Sequence, residues 1–198
     1  MNINCDKNCC EDKLNSPYIK KILEILGPVI LGSKPAEILN ISGEINLKRS
    51  KLNEIETFFD KCTKINYKII NTYDGGIRIL FINKKSMARV FTNKKCISFL
   101  RFLGYPSDYD METYINILIN KLHSPEFPNE IGIFLGYPLK DVLGFMGYGK
   151  NELYTTRFWK IYGDPSISYE VSNSFLKDRA IMKKMIDNNS ISELKNVI

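Results

Sequence analysis

Histidine is almost missing from this chain: His123 is the only one in 198 residues. A single imidazole excludes multi-histidine metal centres, and it leaves Ser/His/Asp or Cys/His relays only if His123 itself holds the key position. It falls at the end of a helical stretch, where the helix C-terminus favours the protonated form, so it is not read as catalytic. Long apolar runs are missing too. The longest, residues 22–32, spans about eleven residues broken by Glu24 and Pro28, against the roughly twenty a membrane-spanning helix needs. The opening MNINCDKNCCEDK has neither the basic start nor the apolar middle of a secretory signal. The glycine-rich GFMGYG at 144–149 lacks the Gly-Lys-Ser/Thr ending of a phosphate loop, and no dinucleotide fingerprint is present. Five cysteines, an odd number, suit a reducing compartment better than a disulfide framework. These absences predict a cytoplasmic protein.

What is present is enough for one ordinary core. With 44% hydrophobic and 12% aromatic residues, the chain reads as a flexible polar tail over 1–15 followed by a single globular domain over 16–198. Cys5, Cys9 and Cys10 in the tail have soft-metal or redox chemistry available, but no second pair of ligands follows at useful spacing. They are read as incidental thiols, with no metal assigned. The net charge of +6 is modestly basic and selects no partner by itself.

Ser16-Pro17 reads as a cap opening an apolar helix through Leu26, which Gly27-Pro28 should stop or bend. A turn at 32–35 leads into a strand over 37–41; Lys34, among small and apolar neighbours in that turn, is read as solvated rather than aimed at an anion. An amphipathic helix over 47–62 carries Leu52, Ile55, Phe58 and Phe59 on one side. Residues 67–73 and 77–83 are β-rich runs joined by Asp74-Gly75-Gly76, a hairpin signature. A basic segment follows with Lys84, Lys85, Arg89, Lys94, Lys95 and Arg101 and no acid between them. Two short helices broken near Thr92-Asn93 have the outline of a helix-turn-helix whose cations would meet phosphates. The second helix, however, buries Ile97, Phe99, Leu100 and Leu103 and leaves few polar side chains such as Ser98 to read bases. A solvated basic face is the competing reading.

Residues 110–122 form a further amphipathic helix. FLGYP occurs at 102–106 and again at 134–138: the first copy reads as a helix cap, the second as a strand turning at Gly136 into a helix over 138–145. A strand over 157–162, a turn at Gly163-Asp164-Pro165 and a long helix over 166–187 close the domain, with a last turn or two at 190–197. The expected fold is α+β: a small, mainly antiparallel sheet with a hairpin, surrounded by five or six helices.

The stretch 127–164 concentrates glycine, aromatics and isolated charges, among them Glu130, Lys140, Asp141, Lys160 and Asp164. Two chemistries compete for it. One is structural, a Glu130–Lys160 ion pair across neighbouring strands. The other makes Glu130 a general acid/base in a pocket lined by Tyr137, Trp159 and Tyr162, with Lys160 and Asp164 also contacting ligand and Lys160 holding an anionic substrate.

The same stretch, FP-x-E-IG-x-FLGYP-x-x-DV-x-GF followed by WK-x-YGD, resembles the domain of unknown function 3793 family, found mainly in anaerobic Gram-positive bacteria. The likeness extends over roughly 16–196 through the KPAEIL turn, the hairpin, the basic helices ending in GYP and a late SIxxL. The family has no established activity, so the resemblance names no reaction and leaves the cofactor open. It implies a partner among flavodoxin-like or iron-related proteins, near whose genes family members are often encoded. Asn129 stands where members commonly have histidine, and residues 155–158 and 175–178 stand where they often carry cysteine. The expectation is therefore a non-metallic site in a cytoplasmic binding or accessory protein, linked by the resemblance to redox or iron physiology, with an enzyme or a weak nucleic-acid binder as the alternatives.

Overall fold

The computed structural model describes residues 16–60 and 62–188; Cys5, Cys9, Cys10 and the last turn expected at 190–197 lie outside them. The expected α+β architecture is present. Three antiparallel strands, β1 (Ala36–Ile41), β2 (Ile65–Asn71) and β3 (Ile77–Asn83), form a sheet in the order β1-β3-β2. The β2–β3 pairing is the Asp74-Gly75-Gly76 hairpin, with Ile65 opposite Asn83 and Asn71 opposite Ile77.

Strand β3 holds the fold together because it is covered on both faces. Ile79, Leu80, Phe81 and Ile82 are all buried, and successive strand residues point to opposite sides. Ile79 and Phe81 pack with helix α1 (Pro17–Leu31), helix α2 (Ile45–Phe59) and the end of the last helix, α8 (Ser166–Asp187). Leu80 and Ile82 pack into the opposite layer, formed by α3 (Lys84–Val90), α4 (Lys94–Phe102), α5 (Met111–Leu122), the single turn α6 (Ile131–Phe134) and α7 (Leu139–Phe145). Each such side chain contributes about 2 kcal/mol by leaving water. A second, two-stranded sheet, β4 (Leu153–Thr156) with β5 (Lys160–Tyr162), carries a smaller cluster of Trp159, Ile161 and Phe175.

Three local expectations are corrected. Helix α1 does not stop at Gly27-Pro28 but continues to Leu31 and ends at Gly32, whose N–H donates to the Pro28 carbonyl at 3.0 Å. Packing overrides the breaker: Leu26, Gly27, Pro28, Val29 and Ile30 are all buried. At Gly27 a β-carbon would lie 2.8 Å from that of Met182, so glycine sets how closely α1 approaches α8. Second, residues 131–134 are helix α6, not a strand. Third, the strand expected over 157–162 shrinks to β5, and its partner β4 lies in a stretch for which no strand is expected.

Three helices end on the same local sequence. Phe102-Leu103-Gly104-Tyr105, Phe134-Leu135-Gly136-Tyr137 and Phe145-Met146-Gly147-Tyr148 close α4, α6 and α7, each with glycine at φ between 79° and 92°. In each, the tyrosine N–H reaches back five residues to a carbonyl: Tyr105 to Leu100 at 3.1 Å, Tyr137 to Gly132 at 2.9 Å, Tyr148 to Leu143 at 2.9 Å. The glycine N–H closes the inner bond to Arg101, Ile133 and Gly144. This is the Schellman stop, which needs a left-handed residue that glycine supplies without strain. Its consequence is positional: each stop places one tyrosine ring.

Candidate functional site

The first of these rings, Tyr105, closes over Glu130. Glu130 is buried at 5% exposure, and its Oε1 accepts from Lys121 Nζ at 2.6 Å and from Tyr105 Oη at 3.3 Å. Lys121 also lies over the Tyr105 ring at 4.6 Å. Burial, with the Glu130 charge added, pushes the Tyr105 hydroxyl well above its usual range. The expected Glu130–Lys160 ion pair does not form: with 131–134 helical, no strand sets Glu130 beside β5, and its cation comes from α5.

The second ring, Tyr137, lies flat on Trp159, with centroids 4.4 Å apart and planes 18° from parallel. Burial, reinforced by the Glu37 carboxylate, pushes the Tyr137 hydroxyl up to about 12. Trp159 is fixed from its edge by Asp141, only 1% exposed, whose Oδ2 accepts the indole N–H at 2.7 Å and the Ser168 hydroxyl at 2.6 Å. Asp141 Oδ1 accepts Lys140 Nζ at 2.7 Å and the Tyr162 backbone N–H at 2.9 Å. Burial alone would raise this carboxyl. The bonds from Lys140, Ser168, Tyr162 and Trp159 outweigh burial and hold it below its ordinary value. One carboxylate thus joins α7, β5 and α8.

Above this floor opens a cavity of about 380 Å3. Its walls are mainly apolar, from Phe127, Ile131, Leu135, Tyr137, Val142, Phe145 and Trp159, with Asn129, Thr156 and Lys160 supplying polar atoms and Asp141 beneath. Thr156 and Lys160 face each other across the β4–β5 ladder. Phe127 and Phe145 are half exposed, and a cation rests on each. Arg78 lies 5.2 Å from the Phe127 centroid, and Lys160 Nζ 5.4 Å from that of Phe145. Of the two cations only Lys160 lines the cavity itself; Arg78 lies over Phe127 from outside the lining.

The sequence-named site residues divide. Tyr137, Trp159 and Lys160 line this cavity; Glu130, Tyr162 and Asp164 do not. Tyr162 is half buried with its ring against Gly144, where a β-carbon would lie 2.3 Å from Cγ. Asp164 opens α8, accepting the Ser166 hydroxyl at 2.7 Å and the Ser166 N–H at 3.0 Å, and these bonds lower its carboxyl. Sequence reasoning assigned no role to Asp141, Asn129, Thr156, Arg78, Phe127 or Phe145. The Asp-Val after the second FLGYP was the signal available for Asp141, since a carboxylate in an apolar helix needs donors.

Lys34 is also corrected: it is not a solvated turn lysine but 6% exposed, bonded to Glu37 at 2.7 Å with Tyr137 and Phe175 each about 5.5 Å away on either side. It lines a second hollow of about 250 Å3 behind Tyr137, with Phe158, Phe175 and Arg179. His123 has a structural place, its Nδ1 on the Asn71 carbonyl at the end of β2. Of the basic segment, Lys84 pairs with Glu112 at 2.7 Å and Arg89 donates to the Gly32 carbonyl and to Ser86, whereas Lys85, Lys94, Lys95 and Arg101 are exposed. Among the described residues, no group of His, Cys, Asp and Glu is placed to hold a metal ion, and no helix is long and apolar enough to cross a membrane.

Neither a curated protein nor a solved structure matches the chain. A family model does: that of the protein of unknown function (DUF3793) matches residues 22–195, which takes in every strand, the whole basic segment, and both the Glu130 and the Asp141 networks. The chain belongs to that family.

Proposed function

We propose that this is a cytoplasmic binding protein whose cavity beside Trp159 holds a small, flat, mostly apolar molecule carrying an acidic group. The observation that carries the reading is Lys160 resting on Phe145 among walls that are otherwise mainly apolar. A cavity of about 380 Å3 falls within the range of small-molecule sites. An apolar body would fill it and stack near Trp159, while the acid group would meet Lys160 where water still reaches it.

Two features favour binding over turnover. Asp141, the carboxylate beneath the cavity, is engaged by four donors and holds its charge, so it is poorly suited to moving a proton. Glu130, the other buried acid, faces Tyr105 and Lys121 outside the cavity. A link to a flavodoxin-like or iron-related partner rests on the family resemblance, and the ligand's identity tests it. Native mass spectrometry of the gently purified protein should show a retained small acid. Thr156→Trp, which fills the mouth from an exposed strand position, should lose it. A protein that carries no such mass, and takes up none from a metabolite extract, contradicts the proposal.

A further inference from the structure

The third stop sequence places its tyrosine at the surface, where it meets α4. Phe99 and Phe102 lie nearly parallel, with centroids 6.1 Å apart, and Tyr148 meets both edge-on at 5.4 Å. Phe102 is 67% exposed and Tyr148 53%, so two of the three rings present large faces to solvent. Tyr148 is held there by the bond from its N–H to the Leu143 carbonyl. At 3.6 residues per turn, Lys95, Ser98 and Phe102 fall on one stripe of α4, with Lys94 and Arg101 beside it. Lys85, Lys94, Lys95 and Arg101 are exposed and have no ion-pair partner among the described residues. No acidic residue occurs from Lys84 through Ser107.

We propose that this face binds single-stranded nucleic acid, with unpaired bases stacking on Phe102 and Tyr148 and the backbone phosphates meeting Lys95, Lys94 and Arg101. Rings interleaved with free cations are what a sequence-tolerant single-strand surface requires, because every base offers a π-face and every nucleotide a phosphate. Duplex recognition fits less well. Beside the cations Lys94, Lys95 and Arg101, the exposed side of α4 offers only Ser98 and the apolar Phe102, and none of the asparagine or glutamine side chains that read adenine in a groove. The charge complements an acidic polymer, and the exposed apolar groups on α4 and the following loop are rings rather than the aliphatic chains that suit a lipid interior. The surface is separate from the cavity beside Trp159, so the two proposals stand or fall independently.

Fluorescence anisotropy with labelled oligo-dT and oligo-U of about twelve nucleotides, at about 50 mM salt, tests it against a duplex of equal length. Expected are tighter binding to the single strands and an affinity that falls linearly with salt on logarithmic axes, with a slope of about −2 for three neutralised phosphates. Phe102→Ala with Tyr148→Ala should weaken binding about tenfold or more at unchanged circular dichroism. Lys95→Gln, on an exposed position that cannot unfold the helix, should lower the salt slope by about 0.7. No binding at low salt overturns the proposal, as does binding that ignores the ring substitutions. Capture by anionic vesicles that depends on the rings, with oligonucleotides left unbound, would assign the face to lipid and equally overturn it.

Discussion

The indole N–H of Trp159 donates to Asp141 Oδ2 at 2.7 Å, linking the turn between β4 and β5 to helix α7 beneath the cavity floor. Ser168 of α8 and the Tyr162 N–H of β5 complete the same carboxylate. The stack of Trp159 on Tyr137 therefore has a rigid edge, and a ligand meets a wall already in place.

Asp141→Asn keeps the shape but replaces one acceptor oxygen by a donor facing groups that are themselves donors. A loss of about 3 kcal/mol in unfolding free energy is expected, as for one partner removed from a buried charge network. Denaturant titration reads it, and near-ultraviolet circular dichroism should show Trp159 losing its fixed setting.

The same carboxylate contributes stability that is lost in acid. Its folded value lies below the ordinary 3.8, so its contribution is fully present above about pH 4 and is lost as pH falls through the lowered value. Melting temperature should be flat from neutral to about pH 5 with respect to this group and fall below pH 4. In Asp141→Asn the part of the acid fall due to this group should disappear; Asp74, Asp110 and Asp164, also lowered by their hydrogen bonds, retain theirs.

Glu130→Gln separates structure from ligand binding. Removing the charge leaves Lys121 and Tyr105 with a weaker acceptor, for an expected loss of about 2 kcal/mol. Ligand affinity in the cavity beside Trp159 should be unchanged, as measured by calorimetry on the folded fraction. A stable variant that no longer binds would return Glu130 to the site.

The stop glycines give a paired test. At Gly104 nothing lies within 4 Å of an added β-carbon, so Gly104→Ala meets backbone strain alone, about 1 kcal/mol. At Gly136 the same carbon would sit 2.5 Å from Pro35 Cδ. Gly136→Ala should cost clearly more, roughly 3 kcal/mol, because a packed neighbour must also move. Equal losses in chemical denaturation would mean that the Pro35 contact yields freely.

What the sequence makes legible follows the range of the forces involved. The β2–β3 hairpin is set by Asp74-Gly75-Gly76, and α8 by an uninterrupted helical stretch after a proline turn, so both are read from neighbouring residues. Residues 131–135 are not: five apolar and small residues in a row have no period, and a buried single turn of helix looks like a buried strand. That misreading carried the Glu130–Lys160 pairing with it. Continuation of α1 through Pro28 depends on α8, which lies about 150 residues further on by the spacing of Glu24 and Arg179, a pair 3.2 Å apart. The role of Asp141 is similarly remote, since Trp159, Tyr162 and Ser168 come from later elements. The third stop is legible as an end to the helix over 138–145 at the glycines of GFMGYG, while the back-bond of Tyr148 to Leu143 that fixes its ring is not.

Trp159 is the only tryptophan, lies on the cavity wall and is 8% exposed, so its emission reports directly on occupancy. The decisive measurement is a fluorescence titration with 4-butylbenzoate, using the neutral 4-butylbenzamide as control, in the native protein and in Lys160→Met. The account predicts a saturable change with the acid, binding of the amide weaker by about tenfold, and loss of that preference in Lys160→Met, the size expected for one charge-assisted contact. An absence of any saturable response, or equal binding of acid and amide in the native protein, would contradict it.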